Sequence, residues 1–183
     1  MQVNTSGGIT ISVMITDAHH RIALTIARSL GKKGVRVFAL NNKRINATFF
    51  SRYCEHRFLY SSPSTHNRNF IDCILKIVKR YRLDVLMPAA RITMMLLSKH
   101  KNKFEPHVKL PIPDFDKVCF ASDKAFTLQF AKKHGIPCPE TYVVDNLNEV
   151  QRISKEIRYP AVIKPRSLGG AQGVTYVLSL IHI

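Results

Sequence analysis

Nowhere in these 183 residues does an apolar run approach the roughly 18 needed to cross a bilayer, which excludes a helical membrane span. Residues 1–8 lack the basic stretch and apolar segment of a secretory signal, so the chain reads as cytoplasmic and globular, with no membrane partner. Cysteine is sparse: Cys54, Cys73, Cys119 and Cys138 lie far apart and form no CxxC pair. That spacing speaks against a zinc knuckle or a thioredoxin-type motif and fits structural free thiols in a reducing compartment. Acidic residues are scarce, 12 against 28 Lys and Arg, for a formal charge of +16. Such an excess points towards an anionic partner, nucleic acid or an acidic surface. The bases are nevertheless scattered, with short clusters such as Lys79, Arg80, Arg82 and Lys99, Lys101, Lys103, a pattern typical of solvated helix faces. No RNP, KH or zinc-finger signature accompanies them, so nucleic acid is the disfavoured partner.

What is present is the patterning of an α/β protein. Residues 9–15 are mostly β-branched or apolar and predict a strand. After a polar turn, Ile22, Leu24, Ile26, Ala27 and Leu30 recur near one face of a helix that Gly31 and Gly34 are expected to stop. Residues 35–40 form a second apolar strand, and strand–helix–strand is the opening of a parallel sheet. Further on, residues 57–60 and 85–87 read as strands, and 69–81 and 91–100 as helices. The proline-rich passage 106–113 closes this unit, with a domain boundary near Asp114. Beyond it, Ser122 can cap a helix running to His134, and Gly135 ends it. A strand at 141–144, a helix at 147–157 and strands at 161–163 and 174–177 complete the reading. At roughly 100 to 200 residues per domain, the length suits one domain and a part.

Two features can carry chemistry. In VIKPRSLGGAQGV an apolar strand ends in Lys164, and the chain turns through Ser167, Gly169, Gly170 and Gly173 into another strand. Glycines there let successive amides point into one concavity, and a lysine at its edge adds a full charge, which together suit a polyphosphate; a flexible hairpin loop is the competing reading. The second feature is Lys124, early in a helix. A cation in a first turn opposes the macrodipole at a cost of a few tenths to about 1 kcal/mol, and a locally disfavoured residue often marks function. Facing a phosphate, it would add its charge to the anion-favouring end of the helix; a surface lysine bending into solvent is the alternative.

A dinucleotide site, and with it an NAD-linked oxidoreductase, is disfavoured by what the first strand-to-helix turn lacks. GxGxxG is needed there, and the turn reads Thr16, Asp17, Ala18, His19, His20. The two histidines could face a ligand at this strand edge, though paired loop histidines are more often solvated. Cys54 beside His56 invites a thiol-nucleophile reading that nothing in the spacing supports geometrically.

The succession SDKAFTLQFAKKHGIPCPET, then about twenty residues, then YPAVIKPRSLGGAQGV resembles the start of the ATP-grasp superfamily, which includes carbamoyl-phosphate synthase large subunits and biotin carboxylases. The resemblance covers residues 118–177 closely and the preceding α/β unit more loosely. It implies a Rossmann-like pre-ATP-grasp domain with a parallel sheet at 1–114, and the first α+β part of a truncated ATP-grasp domain at 115–177. It also implies that Lys124 and Lys164 contact the phosphates of ATP, with Ser167, Gly169, Gly170 and Gly173 in a flap over them. The intact enzyme would then be a ligase that activates a small carboxylate as an acyl phosphate for attack by an amine or other nucleophile. Magnesium would accompany ATP, on ligands C-terminal to Ile183. A homodimer is compatible with this reading, and the basic nucleic-acid-binding module stands as the alternative function. The sequence departs from the family at Pro88, Ala89, Ala90 and Arg91, where relatives place acids. The final LSLIHI, residues 178–183, resembles translated sequencing-adapter read-through, so the natural sequence is expected to end near Val177.

Overall fold

A computed structural model describes residues 10–60, 67–167 and 172–179. The chain divides into two compact units, Met1–Val118 and Cys119–Ile183.

The first unit is built on a parallel sheet. Strands β1 (Ser12–Ile15), β2 (Arg36–Asn41), β3 (Cys54–Leu59) and β4 (Val85–Met87) lie in the order β3-β2-β1-β4. Every residue of β1 is buried, as expected of a central parallel strand covered on both faces. Alternation divides its side chains between two layers. Val13 and Ile15 meet Ala23 and Ala27 of α1 (Arg21–Gly31), while Met14 joins Phe38, Phe70, Ile74, Val78, Leu86 and Leu97 on the opposite face. That second layer is supplied by α2 (Asn67–Tyr81) and α3 (Arg91–Lys99), followed by the short α4 (Lys101–Phe104), whose Phe104 is fully buried. The strand order turns back at β1, so the carboxyl ends of β1 and β4 flank a topological switch point.

Helix α5 (Phe115–Ser122) begins in the first unit and ends in the second, which continues with α6 (Lys124–Lys133), α7 (Leu147–Ile153) and an antiparallel pair, β5 (Ala161–Ile163) with β6 (Thr175–Val177). The α/β class and the parallel sheet expected from the sequence are present, and β4 has the expected limits.

Several local expectations are corrected. Gly31 does not stop α1 but is its last helical residue, a position where a Cβ would lie 2.5 Å from the Cβ of Tyr53, and the chain reverses instead at Gly34 with φ +81°. Residues 141–144 form no strand: no described strand offers them a partner, and Tyr142 and Val144 are exposed. Helix α7 closes at Ile153 rather than continuing to 157. The short helices α4 and α5 were not foreseen, although Phe115, Val118 and Cys119 just after Pro113 have helical spacing. Of the supposed tail, Leu178 and Ser179 are described and the other four residues lie outside the described ones.

Candidate functional site

In the second unit, α5 takes Ser122 as its last residue, so Asp123 and not Ser122 caps α6. The Asp123 carboxylate accepts from the amides of Ala125 (2.8 Å) and Phe126 (3.3 Å), meeting two of the donors that a helix start leaves without partners. This places Lys124 at the first helical position. Its Nζ donates to the carbonyl of Pro165 at 2.9 Å and its backbone amide to Arg166 O at 3.2 Å. Pro165 directly follows Lys164, which stands exposed just past β5. Two lysines far apart in sequence are therefore delivered to one corner: the residue after one is hydrogen-bonded by the side chain of the other.

On the far side of the turn Gly173 has φ +68°, a left-handed conformation that glycine adopts without a Cβ penalty, and leads into β6. Ser167 is an exposed bend residue at the near side. Gly169 and Gly170 lie outside the described residues.

Arg166 went unnoticed in the sequence. The guanidinium of Arg166 pairs with Asp123 Oδ2 at 2.9 Å and, more loosely, with Asp145 at 3.4 Å, and stands over the ring of Phe126, 5.5 Å from its centroid. The Arg166 hydrogen bond, with help from the two capping amides, holds the Asp123 carboxyl below the usual carboxylate range. Arg166 thereby offsets the negative charge beside the two lysines. The amides of Lys124, Ala125 and Phe126 are already engaged, so an anion here would be met by lysine side chains and turn amides more than by the helix terminus.

In the first unit, the place where a dinucleotide fold would carry glycines is filled by a buried carboxylate. Asp17, at φ +54°, accepts from Thr16 Oγ1 (2.6 Å), Tyr60 OH (3.0 Å) and Thr93 Oγ1 (2.9 Å). His19 shares a hydrogen bond with Asn41 Oδ1 at 2.7 Å, and its ring lies 4.2 Å from that of His20. The turn is thus closed on itself by polar side chains. The Cys54 thiol meets the backbone carbonyl of His56 at 3.4 Å and not its imidazole, and burial pushes the thiol up, so a thiol–imidazole nucleophile is not formed. All four cysteines are free. No cluster of three or more His, Cys, Asp or Glu suited to a metal ion occurs among the described residues, and no described helix is long and apolar enough to cross a membrane.

A Rossmann-like parallel sheet followed by a helix whose first lysine meets the end of a strand agrees with the ATP-grasp resemblance, and the known proteins to which the chain is similar are a carbamoyl phosphate synthase and carboxylases. No protein-family model matches the sequence. The chain is 25% identical over 152 residues to the carbamoyl phosphate synthase large chain of Halomonas eurihalina, spanning 80% of this chain and 14% of that protein. It is 24% identical over 159 residues to a pyruvate carboxylase polypeptide of Methanothermobacter thermautotrophicus, spanning 85% and 32% respectively. The biotin carboxylase domain of 2-oxoglutarate carboxylase from Hydrogenobacter thermophilus, a dimer solved with MgADP, ADP and bicarbonate, shares the fold. Its TM-score is 0.62 at 17% identity, over 93% of this chain and 38% of that one. The chain therefore spans less than a third of the length of these two sequence relatives.

Proposed function

We propose that this chain supplies the first part of an ATP-dependent ligase that activates a small carboxylate as an acyl phosphate, with Lys124 and Lys164 holding nucleotide phosphates. The observation that carries the reading is the 2.9 Å hydrogen bond from Lys124 Nζ to Pro165 O, which brings a helix-start lysine to the residue after the strand-end Lys164, 41 positions along the chain. Two cations beside a turn that contains a left-handed glycine are chemically suited to a phosphate chain. On this reading the Lys124 ammonium exchanges its carbonyl partners for phosphate oxygens when nucleotide binds. The Ser167–Gly173 segment, with Gly169 and Gly170, closes over them and excludes water, while Arg166 keeps Asp123 neutralised.

The relationship to a carbamoyl phosphate synthase and a carboxylase supports ATP as the nucleotide, and the MgADP complex of the structural neighbour supports magnesium as its companion ion. Among the described residues no group of three or more His, Cys, Asp or Glu could hold the ion by itself. We assign its ligands to a continuation of the chain and derive no step through the ion. Units 1–114 and 115–177 would be the pre-ATP-grasp domain and the opening of the ATP-grasp domain, and the dimeric neighbour makes a homodimer the assembly to test for.

At an effective dielectric near 20, one close lysine–phosphate pair contributes about 4 kcal/mol before desolvation, and about 1.4 kcal/mol is tenfold in binding. Lys164→Ala should therefore weaken ATP binding at least about tenfold, measured by calorimetric titration, with Lys164→Arg retaining most of it. Equal affinity in Lys164→Ala would remove the lysine from the site.

A further inference from the structure

Three helices of this chain end in the same backbone reversal, and one of them is made with the wrong residue. After α1, α2 and α6, a residue in the left-handed conformation is followed by an amide that bonds back across the last turn: Val35 to Leu30 O (3.2 Å), Leu83 to Val78 O (3.2 Å) and Ile136 to Ala131 O (2.9 Å). At two of these ends the left-handed residue is glycine, Gly34 at φ +81° and Gly135 at φ +66°, as expected where a Cβ is disfavoured. At the third it is Arg82, at φ +48°. A long cationic side chain occupies the position that local physics assigns to glycine.

Arg82 borders a cavity of about 490 Å³, within the size range of small-molecule sites. The cavity lies at the amino-terminal edge of β4, opposite the strand edge that carries Asp17. Lys79 from the last turn of α2, together with His107 and Lys109, shares its lining with Arg82, and so do the acids Asp84 and Glu105. Asp84 is committed: its Oδ2 accepts from the Ser12 amide (2.8 Å) and hydroxyl (2.7 Å). Glu105 stands 3.8 Å from Lys101. Among the described residues neither Lys79 nor Arg82 has an ion-pair partner. The segment carrying Lys109 is fixed against β4, with Lys109 N bonded to Asp84 O and Leu86 N to Lys109 O, both at 2.9 Å. The cations therefore stand on braced elements around one opening.

We propose that this cavity is a binding site for a small phosphate-bearing metabolite, with Arg82 as the phosphate ligand and Lys79 and Lys109 as flanking charges. The planar guanidinium can take two phosphate oxygens at once.

The test uses the 183-residue chain with inorganic phosphate and ribose 5-phosphate as probes, followed by amide chemical shifts. Saturable shifts confined to residues 78–84 and 105–109 are expected. Inorganic phosphate acting alone would identify a site for the free anion, and a tighter response to ribose 5-phosphate a site for a phosphate ester. Arg82→Gly separates binding from folding. It installs the residue the backbone prefers, so the melting temperature should be unchanged or higher while affinity falls at least about tenfold, the loss expected for a charge-assisted hydrogen bond. Lys124 and Lys164 lie in the other unit, and any response at their amides should persist in this variant. Retained shifts in Arg82→Gly, a lowered melting temperature, or shifts spread evenly over surface lysines would each overturn the proposal.

Discussion

Asp17 shows how a single residue can define what a site is not. Its carboxylate is buried and takes three hydroxyl donors, from its neighbour Thr16, from Tyr60 after β3 and from Thr93 in α3. The first turn is therefore a structural junction. Asp17→Ala would leave three hydroxyls facing a void, and loss of about 3 kcal/mol of stability is expected, read from chemical denaturation. The same contact has a signature at alkaline pH. Burial, then the Asp17 charge and hydrogen bond, raise the Tyr60 phenol above its ordinary value of 10.0. A group whose folded value is raised stabilises the fold fully below the unfolded value and loses that contribution as pH climbs past it. Tyr60 should accordingly be the last tyrosine to show phenolate absorbance, and its ionisation should coincide with unfolding above pH 10.0. An early, reversible titration of all six tyrosines would contradict the buried contact. At this scale the sequence was partly readable. Lys124 stood out because it opposes the helix dipole. The Arg166–Asp123 pair did not, since its partners are 43 residues apart and only folding reveals them.

Among the elements, those with a strong apolar period emerged where expected, and those defined by neighbours did not. Strand β3 begins at Cys54, earlier than its apolar residues suggest, because the ladder with β2 resumes at Cys54 beyond a register shift at Glu55, whose carboxylate meets Arg36 at 2.6 Å. The start of α6 was misplaced by one residue. Ser122 and Asp123 are both competent caps, and the choice is made by α5, which consumes Ser122. Residues 141–144 have strand composition, yet a strand exists only with a ladder partner. The α1 helix supplies the sharpest prediction. Gly31→Ala places a methyl group 2.5 Å from Tyr53 Cβ, and about 1 to 3 kcal/mol of overpacking cost is expected, measured as a lowered melting temperature. Combining it with Tyr53→Ala should restore part of that loss; no loss in Gly31→Ala would show that helix and loop are not packed as described.

For the whole molecule, the contrast between the two units carries the functional reading. The first has a sheet with apolar layers on both faces. In the second, Phe126, Phe130, Ile136, Val162, Ile163 and Tyr176 are exposed, and its described sheet has two strands, an arrangement that is marginal by itself. This is consistent with the proposal that further chain completes the domain, as is the limited share of the sequence relatives that the chain spans. The two cationic sites proposed here, at Lys124 and Lys164 and at Arg82, give part of the net charge of +16 a small-molecule purpose. The central claim is that ATP phosphates rest on two particular lysines among 28 basic residues. The most direct test is lysine acetylation of the chain with and without ATP, read by peptide mass spectrometry. Selective protection of Lys124 and Lys164 is predicted, while uniform protection of surface lysines, or protection of neither, would contradict the account.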